Sequence, residues 1–201
     1  MARIPGAPTR EAGQDVALTH GDARGALAQL AGRETARMIE PLEPCAHVPG
    51  LPHGCLAHEP AAGELDRVDT RLEYLAELKA AALTNCEYCT ALGSQIARRS
   101  GLSDELLLAL PPDRTSPLFT ELETLVLDDA VGMSRTPVDV PDALFAKLRE
   151  HFDPAQLVEF THVIALENLR GRFDLALGVG AAGFSEGMVC AVPETVPLGS
   201  R

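Results

Sequence analysis

Two cysteines three residues apart, Cys86 and Cys89 in the run Asn85-Cys86-Glu87-Tyr88-Cys89-Thr90-Ala91-Leu92-Gly93-Ser94, are the side chains of this sequence best equipped for chemistry. Thiols at this spacing on a helix can close and open a disulfide, so the chemistry they point to is redox exchange. Asn85 is a favourable helix N-cap. With Asn85 in that role, Cys86 falls in the first turn, where free N–H groups and the helix dipole favour a thiolate. Helical spacing sets both thiols on the face of Leu92, Gly93 and Ile96, so the pair belongs to an inward stripe and a partly buried, substrate-sized pocket is expected around it.

Two other uses of these cysteines compete with exchange. As small apolar side chains they can simply fill a core. As zinc ligands they need two partners, and the densest source is the stretch from Cys45 to His58, with His47, His53 and Cys55 between them. Its spacing is unlike paired ligand knuckles, so no metal and no cofactor is expected. Cysteines number 5, at positions 45, 55, 86, 89 and 190. An odd set without framework spacing fits thiols held reduced, with any disulfide transient.

Helices must position the pair. Thr70 with Glu73 matches a capping box, and Leu72, Leu75, Leu78, Ala82 and Leu83 carry a helix toward the thiols. The next helix spans Cys86 to Arg99 and stops at Gly101, and Ser103 starts a short one. Ser116-Pro117 opens a further helix that Gly132 ends. Pro141 to Phe152 is amphipathic, and Asp153-Pro154-Ala155-Gln156 starts a long helix to about Gly178. Upstream, prolines 41, 44, 49 and 52 break the chain into two short helices, with Val48, Leu51 and Leu56 as buried candidates. No strand pattern is visible. Residues 1–33 read as a mobile tail with at most a short helix near Ala23 to Leu30, residues 34–180 as one all-α domain, and residues 181–201 as a C-terminal extension that wraps a neighbour or stays loose.

Composition agrees with that reading. Aromatic residues make up 4% of the 201 residues and tryptophan is absent, so the core rests on Leu, Ala and Val. A formal charge of −12 disfavours nucleic acid and anionic membranes as partners. No apolar run is long enough to span a bilayer and the first residues lack a secretion signal's apolar core, so a cytoplasmic location is expected. Helices this rich in Leu and Ala leave apolar faces that favour a homo-oligomer.

The thiol segment, together with Arg71-Leu72 and Leu75 to Leu83 before it and Ala97 to Glu105 after it, resembles the alkylhydroperoxidase D-like and carboxymuconolactone decarboxylase family. Glu123 to Ala130, Thr136-Pro137-Val138, Leu144 to Phe152, Ala155 to Glu159 and Asn168 to Leu177 are similar to its later helices. The resemblance implies an all-α oligomeric bundle. It also implies a thiol peroxidase or disulfide oxidoreductase acting on organic hydroperoxides, an antioxidant function, with an external dithiol or protein as reductant. A decarboxylase on a small carboxylate or a non-catalytic oligomer are the alternatives.

In the peroxidase branch a glutamate twelve residues before the first cysteine and a histidine four after the second relay a proton. Tyr74 and Gly93 stand at those places here. Glu77, on the helix face of Tyr74, is the expected substitute carboxylate, with Ser94 as a hydroxyl relay. Helix position favours Cys86 as the lower-pKa and more exposed thiol, whereas the family relay serves Cys89. Glu73 is explained by capping, His162 by a hydrogen-bonded core role, Asn168 and Arg172 by packing or subunit contact, and Cys190 as a bystander.

Overall fold

The computed structural model describes residues 2–7, 9–48, 50–111 and 115–194. Among these there are helices and turns but no strand: α1 (Thr9–Ala31), a 3-10 turn (Pro44–His47), α2 (Leu51–Gly63), α3 (Thr70–Thr84), α4 (Glu87–Arg99), α5 (Asp104–Ala109), α6 (Glu121–Ser134), α7 (Asp142–His151) and α8 (Pro154–Leu177). The all-α expectation is met.

Local chemistry explains the boundaries. Asp153 caps α8 by accepting the Ala155 and Gln156 amides while the Gln156 side chain accepts from the Asp153 amide, and Pro154 occupies the first helical position. Thr120 and Glu123 form the same reciprocal box at the start of α6. That helix therefore begins later than Ser116-Pro117 suggested, and it runs through Gly132 to Ser134. Gly132 is not a stop but a point of close approach: a Cβ there would lie 2.5 Å from the Asp139 carbonyl oxygen. At α3 the cap is Asp69, which accepts the Arg71 amide, so Thr70 is the first helical residue rather than the cap.

α3 is the central helix, packed against α4, α6 and α8. One side of it joins Ala76 and Ala80 to Val126, Phe160 and Ile164, with Phe152 stacked on Phe160. Another side joins Leu75 and Leu78 to Leu107, Leu110 and Leu127. A third cluster holds Met38, Ile39, Ala81, Tyr88 and Phe184 together with Cys86 and Cys89.

The chain's two ends depart from expectation. The N-terminal segment is a 23-residue helix rather than a tail with a short one, because Ala23 and Ala31 are buried against the third cluster. Ala182, Phe184 and Ala191 are buried and the Glu194 amide donates to the Ala82 carbonyl, so the C-terminal segment is anchored to the core at these residues. The buried Lys79 ammonium donates to the Leu110 carbonyl at 2.9 Å and pairs with Glu194 at 2.6 Å, a contact that compensates its burial. Residues 195–201 and the Leu56 side chain lie outside the described residues. Val48 and Leu51, expected inside, are exposed.

Candidate active site

The corner between α3 and α4 sets the thiols. Asn85 takes the left-handed conformation (φ 58°) at the end of α3, where the Cys86 amide donates to Ala81 and the Asn85 amide to Ala82, the bonds of a Schellman ending. Asn85 thus closes α3 instead of capping α4. Cys86 is itself the N-cap of α4: its Sγ accepts the Cys89 amide at 3.2 Å. A sulfur in that place receives a backbone N–H and the positive end of the helix dipole, both of which favour the thiolate. The two sulfurs are joined as a disulfide in the structure. Cys86 is 1% exposed and Cys89 8%, so the more accessible thiol is Cys89, contrary to expectation.

α8 brings the third group. Asp174 Oδ2 lies 3.8 Å from Cys86 Sγ and 4.0 Å from Cys89 Sγ. Gly171, one turn before it, permits this approach, since a Cβ at 171 would lie 2.5 Å from Thr84 Oγ1 at the end of α3. Asp174 is buried, and desolvation pushes its carboxyl up to about 7, with Arg170 opposing the rise and Glu40 and Glu59 adding to it. A carboxyl that titrates near neutrality beside two sulfurs can take a proton from a thiol and return it.

Arg170, one turn before Asp174, is the hub of the surrounding charges. It pairs with Glu59 of α2, with Glu167 at 3.2 Å and with Glu77 at 3.5 Å. Burial pushes Glu167 up to about 8 and raises Glu77, while Arg170 opposes both shifts. Tyr88 donates its hydroxyl to the Met38 carbonyl and sets its ring edge-on to Phe184, which fixes the first turn of α4.

The expected relay residues are placed otherwise. The hydrogen bond described for Glu77 is to Arg170, not to either sulfur. Ser94 is buried and its Oγ accepts the Ala191 amide at 2.9 Å, tying down the C-terminal segment. Tyr74 packs with the Leu75 and Leu78 cluster, and a Cβ at Gly93 would lie 3.1 Å from a Leu78 methyl carbon. Glu73 does not cap α3. It faces Glu159, and burial with that neighbour pushes it up to about 7. His162 meets the His58 ring at 5.2 Å rather than a core partner. Asn168 packs α8 onto α6 by donating to Ser134 Oγ, besides donating to the Ile164 carbonyl of its own helix, and the exposed Arg172 joins the same seam by donating to the Ser134 carbonyl and the Thr136 hydroxyl.

A cavity of about 250 Å³ lies between α6 and α7, lined by Leu125, Asp128, Arg135, Pro141 and Lys147 among others. It includes neither the thiols nor Asp174, so it is not the pocket expected around the pair. No helix of the described residues is long and apolar enough to cross a membrane.

No protein-family model matches the chain. The uncharacterized protein YnjA of Escherichia coli is 39% identical over 128 residues, 63% of this chain and 67% of its own length. The uncharacterized protein YdfG of Bacillus subtilis is 25% identical over 109 residues, 54% of this chain and 74% of its own. Among solved structures, the debrominase Bmp8 superposes with a TM-score of 0.70 at 18% identity, covering 86% of this chain and 90% of that one. A protein of unknown function from Agrobacterium tumefaciens, ATU0492, provisionally assigned to antioxidant defence, gives 0.63 at 24% identity, covering 67% and 92%.

Proposed function

We propose that the chain is a member of the alkylhydroperoxidase D-like and carboxymuconolactone decarboxylase family, a reading supported by the fold it shares with Bmp8 and ATU0492, and that it reduces organic hydroperoxides with the Cys86–Cys89 pair, using Asp174 as its proton-handling group. The observation that carries this reading is the buried contact of one carboxylate oxygen with both sulfurs. It supplies a base where Tyr74 and Gly93 replace the family's relay residues.

In the reaction, ionised Asp174 takes the proton of one thiol. The thiolate attacks the terminal oxygen of ROOH, the O–O bond breaks, sulfur becomes a sulfenic acid, and Asp174 returns the proton to the leaving alkoxide as ROH. The second thiol then attacks the sulfenic sulfur, closing the disulfide and releasing water. Two electrons have passed from the pair to the peroxide. An external dithiol or protein reductant restores the thiols by exchange. Exposure favours Cys89 as the attacking sulfur and Cys86 as the resolving one. Glu77, Glu167 and Glu59 act through Arg170, which holds down the proton affinity of Asp174. The exposed Val158 and Leu169 of α8 favour self-association.

Turnover of cumene hydroperoxide with a dithiol reductant tests the assignment. Bmp8 is a debrominase, so a brominated pyrrole is the comparison substrate, and a small lactone carboxylate the other. Turnover of the hydroperoxide that vanishes when both cysteines become serine is the expected result. Activity on the carboxylate that survives those substitutions would replace this reading with the decarboxylase one.

A further inference from the structure

The same three side chains form a set whose chemistry is not limited to peroxide. We infer that, when reduced, Cys86, Cys89 and Asp174 together bind one thiophilic divalent cation of the zinc type. The pair alone offers two ligands, too few for a zinc site. Asp174 supplies a third from a different helix, and it is the one group of three or more metal-ligating side chains found among the described residues, with ligand atoms all within 4.8 Å of one another.

The distances fit. Tetrahedral zinc with sulfur ligands at about 2.3 Å and carboxylate oxygen at about 2.0–2.2 Å sets sulfur and oxygen about 3.5 Å apart. The observed separations of 3.8 and 4.0 Å differ from that by a fraction of an ångström, within the range of side-chain adjustment. The ligand chemistry fits as well. The Cys89 amide already points at Cys86 Sγ, orienting that sulfur and stabilising the thiolate form a metal requires. Three acidic groups buried within one small volume repel each other once ionised, and a divalent cation removes that cost. The set leaves one coordination position for water, as in zinc sites of the open kind. Oxidation to the disulfide withdraws both sulfur ligands and leaves only Asp174, so binding belongs to the reduced protein alone.

The test needs no peroxide, so its outcome is independent of the proposed activity. The full chain is reduced, freed of reductant without air, and titrated with Co²⁺ followed by Zn²⁺ displacement. The expected result is one Co²⁺ per chain with thiolate-to-cobalt charge-transfer absorption, absent from the oxidised protein and from Cys86→Ser. Replacing Cys45, Cys55 and Cys190 together by serine leaves it in place, and Asp174→Ala weakens it at least about tenfold. Absence of the charge-transfer band, or a band indifferent to Asp174→Ala, overturns the site. Should Asp174→Ala fail to fold, as judged by circular dichroism, alkylation of the reduced wild-type chain decides: Zn²⁺ shields Cys86 and Cys89 from iodoacetamide if the site exists, and leaves them reactive if it does not.

Discussion

Replacing Asp174 by asparagine removes a buried carboxyl that meets both sulfurs while keeping the volume of the side chain. In the wild-type protein a carboxyl titrating at about 7 is about a tenth ionised at pH 6 and about nine-tenths at pH 8, so the share of molecules carrying the base rises about tenfold across that interval. The asparagine variant retains only the thiols' own ionisation, which ordinarily begins above pH 8. Loss of a general base lowers a rate by about 10²- to 10⁴-fold. Oxidation of the reduced variant by cumene hydroperoxide at pH 7, stopped by acid and read by mass spectrometry, is therefore expected to slow at least about 100-fold and to lose the rise centred near pH 7. Stability moves the opposite way. The folded protein favours the neutral carboxyl, so it binds a proton that the unfolded chain has released, and wild-type stability falls as pH rises from the ordinary 3.8 to about 7. That span corresponds to about 4 kcal/mol. The variant is thus expected to be more resistant to urea than the wild type at pH 8, with the gap closing at pH 3. An asparagine variant that oxidises within threefold of the wild-type rate and shows the same pH profile refutes Asp174 as the base.

Further outcomes follow from the same geometry. Cys86→Ser exposed to peroxide accumulates a sulfenic acid on Cys89, trapped by dimedone, because the attacking sulfur remains and its resolving partner is gone; Cys89→Ser traps none. Arg170→Met releases Glu59, Glu77 and Glu167 together and is expected to cost roughly 2 to 3 kcal/mol in chemical denaturation, less than a fully buried pair because Arg170 is partly exposed. It also raises the proton affinity of Asp174, so the midpoint of the pH–rate profile moves upward. Ser94→Ala leaves the buried Ala191 amide without its acceptor, which costs about 1–3 kcal/mol and speeds hydrogen exchange in residues 189–194.

The helical core of this fold was legible because its signals are local. Asp153-Pro154 followed by Gln156 marks the start of α8, and Gly178 in the left-handed region (φ 71°) marks its end. The thiol pair was legible for the same reason. α1 was not, because Gly13, Gly21 and Gly25 lower its helix propensity and its stability comes from packing Ala23 and Ala31 against the thiol cluster, which no local pattern displays. Asn85 illustrates a near miss: asparagine serves both as an N-cap and as a left-handed helix ending, and the tight α3–α4 corner selects the second. Asp174 was missed because it stands 85 residues beyond Cys89 and only packing of α8 on α3 unites them. A signal did exist. Phe160, Ile164, Glu167, Gly171 and Asp174 lie on one buried stripe of α8, and two acids on an otherwise apolar stripe need an explanation that solvation cannot give. Glu77 shares a face of α3 with Tyr74, but its carboxylate meets Arg170 instead of sulfur.

The central claim, that this pair of thiols passes electrons to a hydroperoxide, is tested most directly by mixing the reduced chain with one equivalent of cumene hydroperoxide and mapping its cysteines by mass spectrometry within seconds. The account predicts one Cys86–Cys89 disulfide and one cumyl alcohol per chain, with Cys45, Cys55 and Cys190 still alkylatable. Five free thiols and intact hydroperoxide would contradict it.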